Sequence, residues 1–399
     1  MIAVVGGCYA ERCASPTWNY IYGSAGRAAA AISSRCTVEL HTLIGKDLKA
    51  DFLFTMSSLD IEHRFVSQDH SITFEYLHPL SSPFVIQTEQ PLEPGALPHI
   101  RNENILYFGM MEYTPIVHGE RVVYDPQGAK SKLFSDTGST AKELIYVLNE
   151  FELAEKTGNL ALEDAGHALL RGEQAAAVVV KRGPLGAAVF LKGEPNHKII
   201  PCYRARRVFK IGSGDLFAAS FAYFWTIEGE TIETAADLAS RATCCYVETR
   251  DASIPTKEEL LRDYSQEAPS CPGRIYLAAP FFCLEQRWLL EETKQLLELF
   301  GCAVFSPLHE VGTGRSNDEI ATEDLRGLDE CDAILALMND NDPGTIFEIG
   351  YAIAKKKPVV VYAEKNSARD LTMLDGTKCK IFPDYCTAIY NAVWESCSK

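Results

Sequence analysis

The sequence predicts an α/β protein of two domains, each built on a mostly parallel sheet covered by helices. Apolar, β-branched segments alternate with helix-like segments along most of the chain, which is typical of such sheets. The alternation is interrupted at residues 263–273 by a Pro/Gly/Ser cluster of low apolar content. The length of 399 residues also favours two domains over one. We therefore predict domains at 1–262 and 274–399, joined by a linker at 263–273.

The first domain carries the longer alternation. Its predicted strands are bounded by Gly, Pro or Asp turns and lie at 2–6, 38–44, 72–78, 105–109, 122–125, 145–148, 176–181 and 187–191. Helices are predicted at 26–34, 49–58, 160–171, 215–225, 231–247 and 257–264. Residues 81–99, rich in Pro and polar side chains, are expected to form a surface loop.

The second domain repeats the pattern in shorter form. Strands are predicted at 274–278, 303–306, 333–338 and 359–362, and helices at 285–300, 317–330, 343–356 and 385–396, with a polar loop at 309–316. The connections are long enough for right-handed βαβ units. A small flavodoxin-like parallel sheet is the simplest architecture that fits them.

Composition excludes several classes of protein. A net charge of −16 and a pI near 5.1 argue against a nucleic-acid-binding protein, which would show a basic face. No apolar run reaches the ~20 residues of a membrane span, and no signal-peptide pattern precedes the first strand. The thirteen cysteines include no C-x-x-C pair, so we expect reduced thiols, a cytoplasmic location and no zinc site.

A small-residue turn opens the helix that follows residue 214. Backbone N–H groups of Gly212, Ser213 and Gly214 could form an anion hole at this helix N-terminus, with Asp215 as a candidate base for a substrate hydroxyl. An ordinary helix cap is the alternative interpretation.

The turn resembles the G-A-G-D signature of the ribokinase-like (PfkB) sugar and nucleoside kinases. Three other segments follow in that family's order: a glycine-rich helix start at 23–26, an N-x-x-E motif at 149–152, and a nucleotide-side strand and turn at 178–187. The resemblance covers about residues 1–262 and implies a ribokinase-like α/β sandwich that uses ATP and Mg²⁺. It further implies the following roles: Asp215 as general base, Gly212–Gly214 as anion hole, Asn149 and Glu152 as indirect Mg²⁺–phosphate support, and Lys181, Gly183 and Gly186 on the nucleotide side.

The chain departs from the kinase pattern at three places. Phe209-Lys210 stands where the family commonly has Asp-Thr, and Arg27 stands near the position of an Asn that helps to hold the sugar. Only 15 residues, 8–22, separate Gly7 from Gly23, a short interval for a substrate lid. Two possibilities therefore stay open: an active kinase, or a scaffold or ligand sensor of kinase ancestry.

The second domain contains a strand, a Gly turn and a helix at 333–356. This order places Glu348 near a helix N-terminus at the carboxyl end of a sheet, where open α/β folds bind ligands. Glu348 could be a carboxylate nucleophile, with Asp342 orienting it or the substrate. Alternatively, Asp342 is a helix cap and Glu348 simply suits the helix dipole.

Residues 342–352, the strand and turn at 276–281 and the helix segment at 324–327 together resemble the nucleoside 2-deoxyribosyltransferase family. The resemblance covers about residues 273–399. It implies that Glu348 attacks the anomeric carbon of the sugar and that Asp342, at the Gly344 turn, holds sugar hydroxyls or orients Glu348. It also implies that Asp324 handles the proton of the base, that Tyr276 lies near Glu348 and that no cofactor is needed. Tyr276 and Phe281 could stack on a planar base, or they could be core residues.

Members of that family complete the site with an Asn from a neighbouring subunit, so the resemblance implies a homo-oligomer. Asn366 and Asp370 are the candidates here, and the sequence does not choose between them. The leading hypothesis is a bifunctional enzyme that cleaves or exchanges the N-glycosidic bond of a nucleoside or nucleotide and phosphorylates a pentose or nucleoside hydroxyl. The alternatives are a glycosyl-transfer enzyme with a non-catalytic first domain, and a nucleotide-binding protein without turnover.

Overall fold

The computed structural model describes residues 1–59, 61–86, 97–128, 131–312, 314–339 and 341–397. The chain folds into two compact units. The first comprises residues 1–182, 186–205 and 209–267, and the second comprises 183–185, 206–208 and 268–399. The domain limits predicted from the sequence, 1–262 and 274–399, remain a prediction. Among the described residues, no helix combines the length and the apolar character needed to cross a membrane.

The first unit is an α/β sandwich. Its strands are β1 (Ile2–Val5), β2 (Ala10–Cys13), β3 (Trp18–Ile21), β4 (Val38–Gly45), β5 (Glu62–Gln68), β6 (Thr73–Tyr76), β7 (Phe84–Ile86), β8 (Ile100–Phe108), β9 (Val117–Asp125), β10 (Thr140–Asn149), β11 (Ala177–Lys181), β12 (Ala187–Leu191) and β13 (Lys198–Ile200). Its helices are α1 (Gly23–Ser33), α2 (Lys49–Ser57), α3 (Glu150–Lys156), α4 (Leu162–Gly172), α5 (Ser213–Thr226), α6 (Ile232–Thr249) and α7 (Lys257–Asp263).

Within the described ranges, the main sheet has nine strands in the order β13-β12-β11-β10-β9-β8-β1-β4-β5. The seven strands from β11 to β5 in this order run parallel to their neighbours. Strand β12 pairs antiparallel with β11, and β13 pairs antiparallel with β12. The central strands are apolar on both faces, as a sheet covered on both sides requires. The carboxyl ends of β9, β10 and β11 therefore lie side by side, at Asp125, Asn149 and Lys181.

A second sheet of the first unit, which we call the small sheet, has the described strand order β3-β2-β6-β7. Both β2 and β3 fall between Gly7 and Gly23, so the short interval noted in the sequence holds two strands. The expected surface loop at 81–99 is wrong at Phe84–Ile86, which pairs with β6, because an aromatic residue followed by two β-branched residues suits an edge strand. Residues 87–96 of that prediction lie outside the described residues.

The second unit has an all-parallel sheet. Its strands are β14 (Arg274–Ala278), β15 (Ala303–Phe305), β16 (Ala333–Leu337), β17 (Val359–Tyr362) and β18 (Lys380–Phe382), and its helices are α8 (Leu284–Leu299), α9 (Pro307–Glu310), α10 (Asn317–Glu330), α11 (Pro343–Ala354), α12 (Ala368–Asp375) and α13 (Tyr385–Ser396). The described strand order, β15-β14-β16-β17-β18, is the doubly wound order predicted from the sequence. Residues 307–310 of the second unit are a short helix that begins just before the predicted polar loop at 309–316.

Candidate active sites

The candidate site of the second unit is built around Tyr276 in the middle of β14. The ring of Tyr276 is fully buried and stacks on the ring of Phe305, with 5.3 Å between ring centroids and 15° between ring planes. This packing fixes the direction of the side chain. Its hydroxyl donates a hydrogen bond of 2.7 Å to Oε1 of Glu348 on α11. The two residues that the sequence expected to be close are thus in direct contact.

The Glu348 carboxyl group lies in a poorly solvated environment. Its pKa is raised to about 7, mainly by burial and to a smaller extent by the nearby Asp324 and Asp342 carboxylates, while the Tyr276 hydrogen bond acts in the opposite direction. Near neutral pH a substantial fraction of Glu348 is therefore ionised. An ionised, weakly solvated carboxylate held by one donor is a competent nucleophile.

Asp324 projects from α10 toward the same site. Burial raises its pKa to about 6. Its Oδ1 atom is buried and has no hydrogen-bond partner among the described residues. A buried polar atom without a partner is costly, so this oxygen is available to a ligand.

Asp342 and Gly344 shape the start of α11. Asp342 is the N-cap residue, and its Oδ2 accepts hydrogen bonds from the Thr345 amide (2.7 Å) and the Thr345 hydroxyl (3.0 Å). A Cβ on Gly344 would lie 3.1 Å from that same Oδ2, so a glycine suits the turn. The capping interpretation of Asp342 therefore holds, and its charge also acts on Glu348.

Asn366 and Asp370 differ in what their side chains do. Asp370 closes a capping box with Ser367 at the start of α12, and these hydrogen bonds keep the pKa of its exposed carboxyl group below the ordinary value. Asn366 donates from Nδ2 to Asn341 (2.6 Å), next to Asp342, while its Oδ1 is buried without a partner among the described residues. Asn366 is thus the better placed of the two to bind a ligand.

Phe281 lies in the turn after β14, and its ring packs on that of Phe282 at 5.1 Å. A cleft that is partly open to solvent lies at the same edge of the sheet. Its lining residues are Ala279, Pro280, Glu285, Gln286, Leu289, Leu337 and Asn339. Neither Tyr276 nor Glu348 belongs to this set. Two carboxyl groups with raised pKa values, Glu348 and Asp324, thus lie outside the lining of this cleft.

In the first unit, Asp215 lies in the first turn of α5 and is only 8% exposed. Its Oδ2 accepts a 2.6 Å hydrogen bond from Nη1 of Arg27, and its Oδ1 accepts a 3.2 Å bond from Nε2 of Gln127. Arg27 is 1% exposed and also donates from Nη2 to Glu11 at 2.5 Å. Both oxygens of the expected general base therefore already have donors.

The expected anion hole is also crowded. Gly212 has a left-handed backbone (φ 80°), and a Cβ there would lie 2.2 Å from Nε of Arg27. A Cβ on Gly214 would lie 3.3 Å from Nζ of Lys181. The Ser213 amide donates to the Lys210 carbonyl at 3.0 Å, so it does not point to an external anion. Two cationic side chains thus lie at the glycine positions of the turn.

Lys181, at the carboxyl end of β11, reaches past β10 to the carboxyl end of β9. Its ammonium group donates to Oδ2 of the fully buried Asp125 at 2.6 Å. Burial raises the pKa of Asp125 to about 7, although Lys181 opposes the change. Two glycines were also expected on the nucleotide side: Gly183 (φ 56°) begins the short 3₁₀ turn Gly183–Leu185, and Gly186 (φ 85°) follows it.

Asn149 and Glu152 form the capping box of α3. Oδ1 of Asn149 accepts from the Glu152 amide at 2.8 Å, and Oε2 of Glu152 accepts from the Asn149 amide at 2.9 Å. The other oxygen of Glu152 accepts from the Gly128 amide at 2.7 Å. Over the described ranges, no group of three or more His, Cys, Asp or Glu side chains is arranged to hold a metal ion. These residues do not fit a directly bound Mg²⁺ in this arrangement.

Sequence reasoning did not single out Glu11, Asp125 or Gln127. Asp125 is the last residue of a predicted strand, and Gln127, which has a left-handed backbone (φ 55°), lies in the Pro-Gln-Gly turn that follows. Non-glycine residues in that conformation often mark functional sites. Arg27, the charged residue in a helix of small side chains, was a signal for a buried ion pair.

Comparisons with known proteins relate two parts of the chain to two different families. Residues 116–259 match the family model described as pfkB family carbohydrate kinase, and residues 275–381 match that of nucleoside 2-deoxyribosyltransferase. The chain therefore combines a part similar to PfkB kinases with a part similar to nucleoside 2-deoxyribosyltransferases. No curated protein matched the chain.

Solved structures resemble the first unit. A fructokinase from Vibrio cholerae O395, in a form with bound fructose, ADP and calcium ion, is 16% identical with a TM-score of 0.50, over 65% of this chain and 98% of that chain. A ribokinase from Thermotoga maritima is 19% identical with a TM-score of 0.49, over 65% and 98%. The nucleoside kinase of Methanocaldococcus jannaschii is 16% identical with a TM-score of 0.46, over 65% and 96%. At this identity the fructokinase likeness shows a ribokinase-like fold and no activity.

Proposed function

We propose that the second unit cleaves or exchanges the N-glycosidic bond of a nucleoside, deoxynucleoside or nucleotide, with Glu348 as the nucleophile. The observation that carries this proposal is the 2.7 Å hydrogen bond from the buried Tyr276 hydroxyl to Glu348. It holds one carboxylate oxygen and leaves the other to react. The family match over residues 275–381 supports the same chemistry.

In the proposed reaction, a Glu348 oxygen forms a bond with the anomeric carbon while the bond from that carbon to the base nitrogen breaks. The electron pair of the broken bond goes to the base, and Asp324 supplies the proton that neutralises it. A second base, or water, then attacks the anomeric carbon, gives up a proton to the Asp324 carboxylate and releases Glu348 as a carboxylate. This is the two-step logic of retaining glycosidases. Asn366, from the same or a neighbouring subunit, would contact the sugar.

The experiment compares base release from a nucleoside panel by the wild type and by Glu348→Gln, with Glu364→Gln as matched control. Glu364 is an exposed glutamate of the second unit that accepts from the Tyr362 hydroxyl at 2.9 Å, so it resembles Glu348 in its partner but not in its burial. We expect Glu348→Gln to lose base release and Glu364→Gln to keep it. Adding a second base separates exchange from hydrolysis.

For the first unit, the geometry favours the non-catalytic alternative over a kinase. A general base must come within hydrogen-bond reach of the substrate hydroxyl, whereas Asp215 is only 8% exposed and its oxygens lie against Arg27 and Gln127. Mass spectrometry of products from mixed pentoses and nucleosides, with and without ATP and Mg²⁺, separates the two hypotheses. A phosphorylated product that Asp215→Asn abolishes would establish the bifunctional enzyme, and its absence would favour a sensor or scaffold.

A further inference from the structure

Three charged side chains of the first unit form what we call the buried ion triad: Glu11, Arg27 and Asp215. Arg27 belongs to α1 and Asp215 to α5, while Glu11 lies on β2 of the small sheet. The Arg27 side chain is 1% exposed, and those of Glu11 and Asp215 are 7% and 12% exposed. The triad therefore ties the small sheet to the helices that surround the Gly212 turn.

Aromatic rings complete the surroundings of Arg27. Its guanidinium carbon lies 5.9 Å from the ring centroid of Trp18 and 5.8 Å from that of Tyr22. Trp18 is on β3, so a second strand of the small sheet covers the same cation. These contacts account for an arginine that keeps its charge without access to water.

Apolar packing joins the small sheet to the same region. Cys13 of β2 forms a buried cluster with Phe209 and Ile211, and Trp18 and Tyr76 pack against it. The Trp18 and Phe209 ring centroids are 5.3 Å apart. Phe209 and Ile211 directly precede Gly212, so the inner face of the small sheet rests on the segment that leads into α5. Arg27 and Phe209 are also the residues at which the sequence departs from the kinase pattern.

Opening the small sheet would carry a large penalty. It would remove Glu11 from Arg27 and expose the apolar cluster, and a buried charge that loses its partner is strongly destabilising. We propose that the buried ion triad and the Phe209 cluster hold the small sheet closed over the Gly212 turn, so that sugar-sized ligands are excluded from the space beside Asp215. The small sheet then stays closed over the Gly212 turn and opens only when one charge of the buried ion triad is removed.

Hydrogen exchange of the full-length chain tests this proposal. In Arg27→Gln, Glu11 and Asp215 become two close carboxylates without a cation, and the small sheet should open. Amides of β2, β3 and β6 should exchange at least about 100-fold faster than in the wild type, while those of β4 in the main sheet keep their rates. Arg12→Ala is the matched control, because Arg12 is the neighbour of Glu11 on β2 and pairs with the exposed Glu75 at 3.2 Å. It should leave all rates unchanged.

Two results would overturn the proposal: small-sheet amides of folded Arg27→Gln that exchange as in the wild type, or equal acceleration in every segment, which marks general destabilisation. If Arg27→Gln does not fold, Glu11→Gln decides in its place. That variant removes one charge and should accelerate exchange in the small sheet alone, by at least about 10-fold. Base release by the second unit should be unaffected in all these variants, so this test is independent of the proposed glycosyl chemistry.

Discussion

Replacing Tyr276 with Phe isolates what one hydrogen bond does to the candidate nucleophile. The hydroxyl stabilises the ionised form of Glu348, whose pKa burial raises to about 7. A hydrogen bond to a charged group contributes about 1.5–3 kcal/mol, and 1.36 kcal/mol corresponds to about one pKa unit. In Tyr276→Phe the pKa of Glu348 should therefore rise by about 1–2 further units.

The consequence is a shift in the pH dependence of base release. The readout is base release from a nucleoside whose base is cationic, because such a base leaves as a neutral molecule without a proton from Asp324. Because the ionised form of Glu348 is the nucleophile, this activity should rise as pH increases through the pKa of Glu348, with a midpoint near 7 in the wild type. In Tyr276→Phe the midpoint should lie about 1–2 units higher, with a loss of about 5- to 50-fold at pH 7 that recovers at higher pH.

Tyr351→Phe is the matched control, since Tyr351 lies on the same helix but donates to Asp329 at 3.1 Å. It should leave the profile unchanged. A Tyr276→Phe profile with the wild-type midpoint, or with a lower one, would refute this reasoning.

Three further predictions concern stability and the separation of the two units. A carboxyl group whose folded-state pKa is raised from 4.5 to about 7 contributes stability that is fully present below pH 4.5 and is lost as pH rises through 7. Glu348→Gln lacks this pH dependence. Chemical unfolding at pH 4 and pH 8 should therefore show its free energy of unfolding, relative to that of the wild type, increasing by up to about 3 kcal/mol from pH 4 to pH 8. Gly212→Ala should lower the free energy of unfolding by about 3 kcal/mol or more, because the added Cβ would lie 2.2 Å from Arg27. The control is Gly229→Ala, because Gly229 has a similar φ of 72° but no neighbour within 4 Å of an added Cβ. This control should lower the free energy of unfolding by only about 1 kcal/mol. Asp215→Asn should leave base release by the second unit at the wild-type rate in the same nucleoside assay.

Much of the second unit could be predicted because local sequence marks where its helices and strands begin and end. The helices at 317–330 and 385–396 were predicted to the residue, since Ser316 and Asp384 cap them. The strand at 359–362 was also predicted to the residue, as a continuous apolar run. The contact of Tyr276 with Glu348 followed from the family resemblance, as the residues are 72 positions apart.

The small sheet and the buried ion triad could not be predicted in the same way. Strand β2 contains Glu11 and Arg12, and its parallel partner β6 is about 60 residues away, so local pattern does not indicate the pairing. Arg27 and Asp215 are 188 positions apart, and only the folded chain brings them together. Arg27 and Phe209 stand out in the sequence because they differ from the kinase pattern. That both contact the small sheet beside the Gly212 turn is evident only from the tertiary structure.

The most direct test of the proposed chemistry is to look for the sugar on Glu348 itself. Wild-type protein mixed with a nucleoside and quenched in acid should gain the mass of one sugar residue, and peptide mapping should place it on Glu348 within residues 343–355. Glu348→Gln should show neither the adduct nor base release. Base release by Glu348→Gln at the wild-type rate would contradict the account.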